Sequence, residues 1–243
     1  MAASNPLQLS LEIRLDESIC LENFISCNST SHLLKILKNS VRQDSVLMQF
    51  FLWGNEGVGK TYLIHALTKE FLKKNESYVY LSFKDKRINS TKILDGLEEV
   101  DTVFIDDLNY CNFSEEWEIS LFNLINRVFI NEKKIYISSI NPAKDLDLKL
   151  PDLISRLNSF TALEIPDIDD VEKFKALRES ALRKGIDLDN KVIDFIIRHT
   201  SRRLSDLLSL IDELDSFSLQ KQRKITIPLI NELLKNKEDS QST

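Results

Sequence analysis

The chain has 243 residues, 42% of them hydrophobic and 29% charged, the make-up of a globular protein that buries an ordinary core without disulfides. Its 38 acidic against 32 basic side chains give a net charge of −6 at pH 7, which argues against a main affinity for the DNA backbone, because that affinity comes from lysines and arginines displacing counterions. No run approaches the ~18 apolar residues of a membrane span, and Met1 to Asn5 lack the basic start and apolar stretch of a signal peptide, so a cytoplasmic protein with no membrane partner is expected.

Taken in chain order, the first apolar, β-rich run is Met48 to Trp53, and it leads directly into Gly54-Asn55-Glu56-Gly57-Val58-Gly59-Lys60-Thr61. This is a complete G-x-x-x-x-G-K-[ST] phosphate loop. Glycines let the backbone wrap closely around phosphates, the N–H groups at the following helix start favour negative charge, Lys60 can reach the β/γ-phosphates, and the Thr61 hydroxyl can sit on Mg²⁺. Tyr62 to Leu72 reads as the helix the motif requires. Further strands are predicted at Val79 to Ser82, Thr102 to Ile105, Ile135 to Ser138 and Ala162 to Ile165. Their alternation with helical patterns points to a five-stranded parallel sheet covered by helices, an α/β domain.

The strand at Thr102 ends in Asp106-Asp107. Beside a phosphate loop, such a strand end is where the metal is held, so Asp106 is assigned to Mg²⁺ through water and Asp107 to orienting the attacking water. Trp117, Leu121, Leu124 and Val128 recur at helical spacing within Glu116 to Ile130 and are read as core packing. After Pro166 the strands stop. Asp169 to Lys184, Asp189 to Thr200, Ser205 to Leu219 and Pro228 to Lys235 read as four helices of a small all-α lid, with Asp169 and Asp189 as caps and Pro228 in a first turn. The predicted domains are a tail over 1–20, an α/β domain over 21–166, a lid over 167–236 and a disordered tail over 237–243. Cys20, Cys27 and Cys111 lack C-x-x-C pairing and are read as reduced packing residues. The three histidines are scattered and carry no motif.

A phosphate loop, a paired-carboxylate strand end and a helical lid together resemble the AAA+ ATPases. Leu52-Trp53-Gly54, Leu63-Ile64-His65-Ala66 and Phe104-Ile105-Asp106-Asp107-Leu108 are similar to the DnaA family. Trp117 to Arg127, Leu150-Pro151-Asp152-Leu153-Ile154-Ser155-Arg156-Leu157 and Gln222 to Pro228 resemble more closely its shortened regulatory-inactivator branch, Hda. The resemblance spans residues 7 to 235. It implies a five-stranded AAA+ domain with a lid, bound ADP or ATP with Mg²⁺, and a nucleotide site drawn from Gly54, Gly57, Val58, Gly59, Lys60, Thr61, Tyr62, Asn23, Phe24 and Arg202. It further implies that Arg156 is an arginine finger presented to ATP bound by DnaA, a group worth ~10³ to 10⁵ in rate in phosphoryl transfer.

Gln8-Leu9-Ser10-Leu11-Glu12-Ile13 is similar to the peptide by which bacterial proteins dock on the β sliding clamp of DNA polymerase III. Leu9, Leu11 and Ile13 alternate as apolar anchors, Gln8 offers an amide, and an extended tail can fold into a groove on contact. Glu12 stands where proline is usual, which bears on affinity. The chain stops after the lid, so a helix-turn-helix for duplex reading is not expected, and DNA is reached indirectly through the clamp. At the family's sensor positions stand Ile140, with Ser139 and Asn141 as neighbours able to substitute, and Ser205, with Arg202 one turn earlier on the same helical face. The expectation is therefore a replisome-associated regulator that holds ATP or ADP and turns it over slowly at most, with a homodimer allowed because AAA+ sites lie between subunits. The alternatives are a helicase-loader-type or DnaA-like ATPase on single-stranded DNA, and a P-loop kinase of a small metabolite.

Overall fold

The structure is a computed structural model that describes residues 19–25, 27–42 and 48–241. The described residues form two compact units. One runs to Gly54 and resumes over Lys60–Ile165, and the other holds Asn55–Gly59 together with the chain from Pro166 onward.

The first unit contains α1 (Asn28–Ser40), β1 (Gln49–Trp53), α2 (Lys60–Lys73), β2 (Tyr78–Ser82), β3 (Thr102–Asp106), α3 (Glu115–Ile130), β4 (Lys134–Ser139), α4 (Pro151–Asn158) and β5 (Thr161–Glu164). Its five strands form one parallel sheet in the order β2-β3-β4-β1-β5. Each predicted strand is present within a residue of its expected limits. Both faces of the sheet are covered, which is why β1, β3 and β4 read as unbroken apolar runs.

Side chains alternate between the two faces. Val103, Ile105, Ile135 and Ile137 pack with Leu121, Leu124 and Val128 of α3 and with Leu153 and Leu157 of α4. On the other face Tyr136 stacks against Phe50 at 4.8 Å and Phe104 at 5.1 Å, with Phe71 of α2 edge-on to two of these rings. The C-terminus of α1 is drawn onto this face by lysines. Lys134, largely buried, donates to the carbonyls of Ser40 at 2.9 Å and Arg42 at 3.1 Å, and Lys74 donates to that of Val41. These bonds satisfy carbonyls that a helix end leaves open.

Strand register brings the functional ends together. Ser82 pairs with Asp106, Ile105 with Ile137, and Leu52 with Ser138, so the carboxyl ends of β1 to β4 finish on one edge. That edge is where an open parallel sheet binds its ligands.

The second unit contains α5 (Asp170–Arg183), α6 (Asn190–His199), α7 (Leu204–Lys221) and α8 (Ile227–Gln241). Asp169 accepts from Glu172 N–H at 2.7 Å and Asp189 from Lys191 N–H at 2.8 Å, the two predicted caps. Leu177, Ile193, Ile196, Leu207, Ile211, Leu214 and Ile230 form the core of this unit. α8 continues to Gln241 instead of ending at Lys235, because nothing after that residue breaks a helix: no Gly or Pro follows. That corrects the disordered tail expected over 237–243 for the described part of it. The described cysteines are all free, and Cys111 is buried. No helix among the described residues is long and apolar enough to cross a membrane.

Candidate functional site

In the first unit, α2 begins at Lys60, directly after the phosphate loop. The Lys60 ammonium is buried and donates to the Gly54 carbonyl at 2.6 Å, while Gly54 N–H donates to the Ile140 carbonyl at 3.3 Å. Thr61 stands in the first turn of α2 with its side chain partly exposed. Beside it, the Tyr62 hydroxyl donates to the Cys20 carbonyl at 3.1 Å and accepts from the Cys20 N–H at 3.3 Å, and its ring lies 5.8 Å from that of Phe24. The segment carrying Asn23 and Phe24 is thereby pinned to the start of α2.

Asp106 is fully buried at the end of β3. Its Oδ1 accepts from the Ser138 hydroxyl and from Asp107 N–H at 3.1 Å, and its Oδ2 accepts from the Tyr80 hydroxyl at 3.0 Å. Burial and the Asp106 carboxylate push the Tyr80 hydroxyl up, so it stays protonated as a donor. One acceptor site remains on Oδ2. His65 lies edge-on to Tyr80 at 5.0 Å; burial lowers its imidazole, and its Nε2 is buried with no hydrogen-bond partner.

Asp107 occupies a left-handed backbone position, φ 58°, with its carboxyl nearly buried. It pairs with the Lys84 ammonium at 3.0 Å and accepts from Ser82 Oγ at 3.4 Å. Burial, then the neighbouring Asp106 charge, hold the Asp107 carboxyl above its usual range, although Lys84 and Lys60 pull it down. Burial, the largest single influence, would lower the Lys84 ammonium, but its bond to Asp107 and the negative charge of Asp107, Tyr110 and Asp106 together raise it. Lys84 also sits 4.9 Å over the Tyr110 ring. Neither Lys84 nor Tyr80 carries a sequence signal, since their roles come from strand register.

The turn at the end of β4, where the sequence places the family's sensor, is tied by a side-chain amide. Asn109 accepts from Ile140 N–H at 3.0 Å and from Ser139 Oγ at 3.5 Å. Ser139 is fully buried and Asn141 is exposed, so Asn109, which the sequence reading passed over, is the amide tied to this turn.

In the second unit, Gly57 has φ 81°, and a Cβ there would stand 2.9 Å from both Arg203 Cβ and Ser205 Oγ. Ser205 N–H donates to the Gly57 carbonyl at 3.3 Å, Arg203 pairs with Glu56 at 2.8 Å, and the Asn55 amide donates to Asp167. Val58 is buried. Both arginines are exposed, but it is Arg203 that meets the loop residues through Glu56. One position in sequence separates them, and the helix start decides which faces Glu56.

The residues present fit a nucleotide with its magnesium ion. Among the described residues no group of three or more His, Cys, Asp or Glu could hold a metal by itself. Mg²⁺ characteristically keeps its waters and is held by few protein groups together with substrate phosphates. Thr61 and the one remaining acceptor of Asp106 suit that pattern.

Arg156 lies on α4, which shares a core with α3 in the first unit. Its guanidinium carbon is 5.1 Å from the Phe129 ring centroid, and among the described residues no carboxylate pairs with it. The helix carrying it starts at a buried carboxylate: Glu118, 1% exposed, accepts from Lys149 N–H at 3.0 Å and Leu150 N–H at 2.6 Å. Gln8 to Ile13, expected from the sequence to dock on the clamp, lie outside the described residues.

The sequence matches the Bacterial DnaA ATPase domain over residues 15–164 and the Hda lid domain over residues 170–234. A Haemophilus influenzae protein, described as uncharacterized, is 33% identical over 228 residues, covering 93% of this chain and 98% of its own. Domain III of the Thermotoga maritima replication initiation protein DnaA superposes with a TM-score of 0.78 at 19% identity, over 91% of this chain and 97% of that one. Replication initiator DnaA bound to AMPPCP and single-stranded DNA superposes with a TM-score of 0.72 at 23% identity, over 86% of this chain and 69% of that one. With a phosphate loop at the end of β1, a carboxylate pair at the end of β3 and an Hda-type lid, the chain belongs to the DnaA family of AAA+ ATPase domains and is a DnaA-related protein of replication control.

Proposed function

We propose that this protein is a regulator of replication initiation that docks on the DNA sliding clamp through Gln8, Leu9, Ser10, Leu11 and Ile13 and presents Arg156 to ATP bound by DnaA, switching the initiator off. The observation that carries this reading is the state of Arg156: a half-buried arginine on a packed helix, stacked on an aromatic ring and held by no carboxylate among the described residues. Its donors are available to an incoming phosphate. In the DnaA site, the guanidinium would offset charge on the γ-phosphoryl group as water displaces it.

The protein's own nucleotide serves in this reading as a fixed part. Bound ATP or ADP with Mg²⁺ supplies the phosphate charge around which the loop is ordered. Gly54, Gly57, Val58 and Gly59 would form the loop that holds the phosphates, Lys60 would neutralise their charge, Thr61 and Asp106 would hold the cation and its water, and Asn23, Phe24, Tyr62 and Arg202 are the further nucleotide-site residues that the family resemblance implies. Asp107 orients water only when released from Lys84. A replisome-associated location and assembly with DnaA or a second copy follow from the same reading.

The test is hydrolysis of DnaA-bound ATP with this protein and a DNA-loaded clamp. Stimulation should require both, and Arg156→Ala should cost on the order of 10³ in the stimulated rate. Undiminished stimulation by Arg156→Ala would refute the finger. Salt-sensitive binding of single-stranded DNA with DNA-stimulated turnover by this chain alone would replace the reading with a loader-type ATPase.

A further inference from the structure

Phe129 stands in the last turn of α3 with half its surface exposed, and Ile130 beside it is 75% exposed. The helix has no packing need for a large ring there, because its buried stripe is completed by Leu121, Leu124, Ile125 and Val128. An aromatic ring left half in water on a packed helix calls for an explanation outside the core. Its neighbour supplies one: Arg156 lies over the ring face at 5.1 Å.

Both partners sit on rigid supports. Leu153 and Leu157 of α4 share a core with Leu124 and Val128 of α3, and the backbone at Arg156 is closed by Ser159, whose N–H and hydroxyl both donate to the Arg156 carbonyl, at 3.1 Å and 2.6 Å. What these contacts leave undetermined is the long side chain of Arg156 itself. Stacking on a ring fixes the guanidinium plane while its N–H edge stays open for bidentate contact with phosphate oxygens. A carboxylate in the same place would fix the side chain equally well but occupy the donors. Arg127 of α3 has a carboxylate beside it in this way, its Nε 2.9 Å from Glu98 Oε1.

From this we infer that Phe129 is a positioning residue for Arg156: it holds the guanidinium edge outward for a phosphate of a partner protein. The inference rests on the finger assignment above and adds the residue that orients it.

The experiment compares the full chain with Phe129→Leu, Phe129→Tyr and Arg156→Ala in the DnaA-bound ATP hydrolysis assay, titrated to saturation. Phe129→Leu keeps apolar bulk and removes the ring face. Its maximal stimulated rate should fall about 2- to 5-fold, the range of an exposed cation–π contact, with half-saturating concentration unchanged and the melting temperature held. Phe129→Tyr should keep the full rate. In a ¹⁵N-correlated spectrum, the Arg156 Nε–H signal should be displaced by the ring current in the wild type and in Phe129→Tyr, and should move to the free-arginine position in Phe129→Leu.

If Arg156→Ala abolishes stimulation while Phe129→Leu retains the full maximal rate, the positioning role is wrong and the finger stands. A Phe129→Leu defect confined to half-saturation would make the ring a docking contact and also overturn the inference. Full stimulation by Arg156→Ala would remove the finger and the positioning role together.

Discussion

Replacing Glu118 by alanine tests how α4 is held. The carboxylate is 1% exposed and takes Lys149 N–H and Leu150 N–H at the start of that helix, where Leu150 offers no side-chain cap. A helix N-terminus favours negative charge, so the site suits an ionised acceptor. Alanine would leave two donors without partners and open a void. One of them, on Lys149, belongs to an exposed residue and can recover a bond to water. With ~1–3 kcal/mol for a buried donor left unpaired, and a smaller share for the solvated one, the expected loss is about 2–4 kcal/mol. For a chain of this size that lowers the melting temperature by roughly 5–15 °C. Glu118→Gln keeps an acceptor and should lose about half as much.

The assay is urea and thermal unfolding monitored by Trp117 fluorescence, which sits in the same core, paired with the DnaA-bound ATP hydrolysis assay. Because α4 carries Arg156, the stimulated rate should fall in Glu118→Ala well below the unfolding midpoint, with nucleotide binding by the variant intact. A Glu118→Ala protein within ~0.5 kcal/mol of wild type, the range of ordinary surface substitutions, would refute the reasoning.

Two further outcomes follow from the site. Gly57→Ala places a methyl 2.9 Å from Arg203 Cβ and Ser205 Oγ at a φ of 81°, and the left-handed backbone plus crowding cost about 2–4 kcal/mol. Titration with a fluorescent ATP analogue should show at least tenfold weaker binding by roughly that cost, and wild-type affinity would show that the loop opens freely. The two carboxylates flanking β3, Asp101 before it and Asp107 after it, should respond oppositely to pH in nucleotide-free, chelator-treated protein. Asp107 is raised from 3.8 by burial and Asp106, so ionising it costs stability, and that cost grows as pH rises from 3.8 through the folded value. Asp107→Asn should therefore gain on the wild type toward neutral pH. Asp101, bonded by Lys133 and Ser77, is lowered from 3.8 to about 2, so its stabilisation is complete above 3.8 and lost as pH falls toward 2. Asp101→Asn should lose stability at neutral pH and converge on the wild type in acid. Parallel melting curves for the two variants across pH would contradict both assignments.

The sheet was legible because strands buried on both faces must be continuous apolar runs, and the phosphate loop because only glycine tolerates its backbone. The caps Asp169 and Asp189 were legible because capping is local. Two helices were not predicted. α1 opens on Cys27, whose N–H donates to Thr30 Oγ1 at 3.0 Å, and cysteine is no usual cap signal. α4 has only eight residues, and its start is satisfied by Glu118, 31 residues earlier. Tyr80, Lys84, Asn109 and Arg203 were missed for the same reason. Each acquires its partner through register or helix placement, and nothing in the residues adjacent to it in sequence announces that partner.

The division between holding and turning over a nucleotide can be argued from the same contacts. Asp106 has two of its donors supplied by side chains, Tyr80 and Ser138, and keeps one acceptor, a state suited to fixing a water on a cation. Asp107 has Lys84 on one oxygen and Ser82 on the other, so an attacking water would have to compete with an ammonium for it. At the turn after β4, the side chain of Ile140 can offer no hydrogen bond, and the amide oxygen of Asn109 already accepts from the Ile140 N–H and Ser139 Oγ. Catalytic groups that must first be freed add their release to the barrier, whereas groups that hold phosphate and cation do not. Arg156 stands in the opposite condition, stacked but with its donors uncommitted, so the arginine needs no bond broken before it meets a phosphate. That contrast supports a protein that keeps its own nucleotide intact and acts on the one held by its partner.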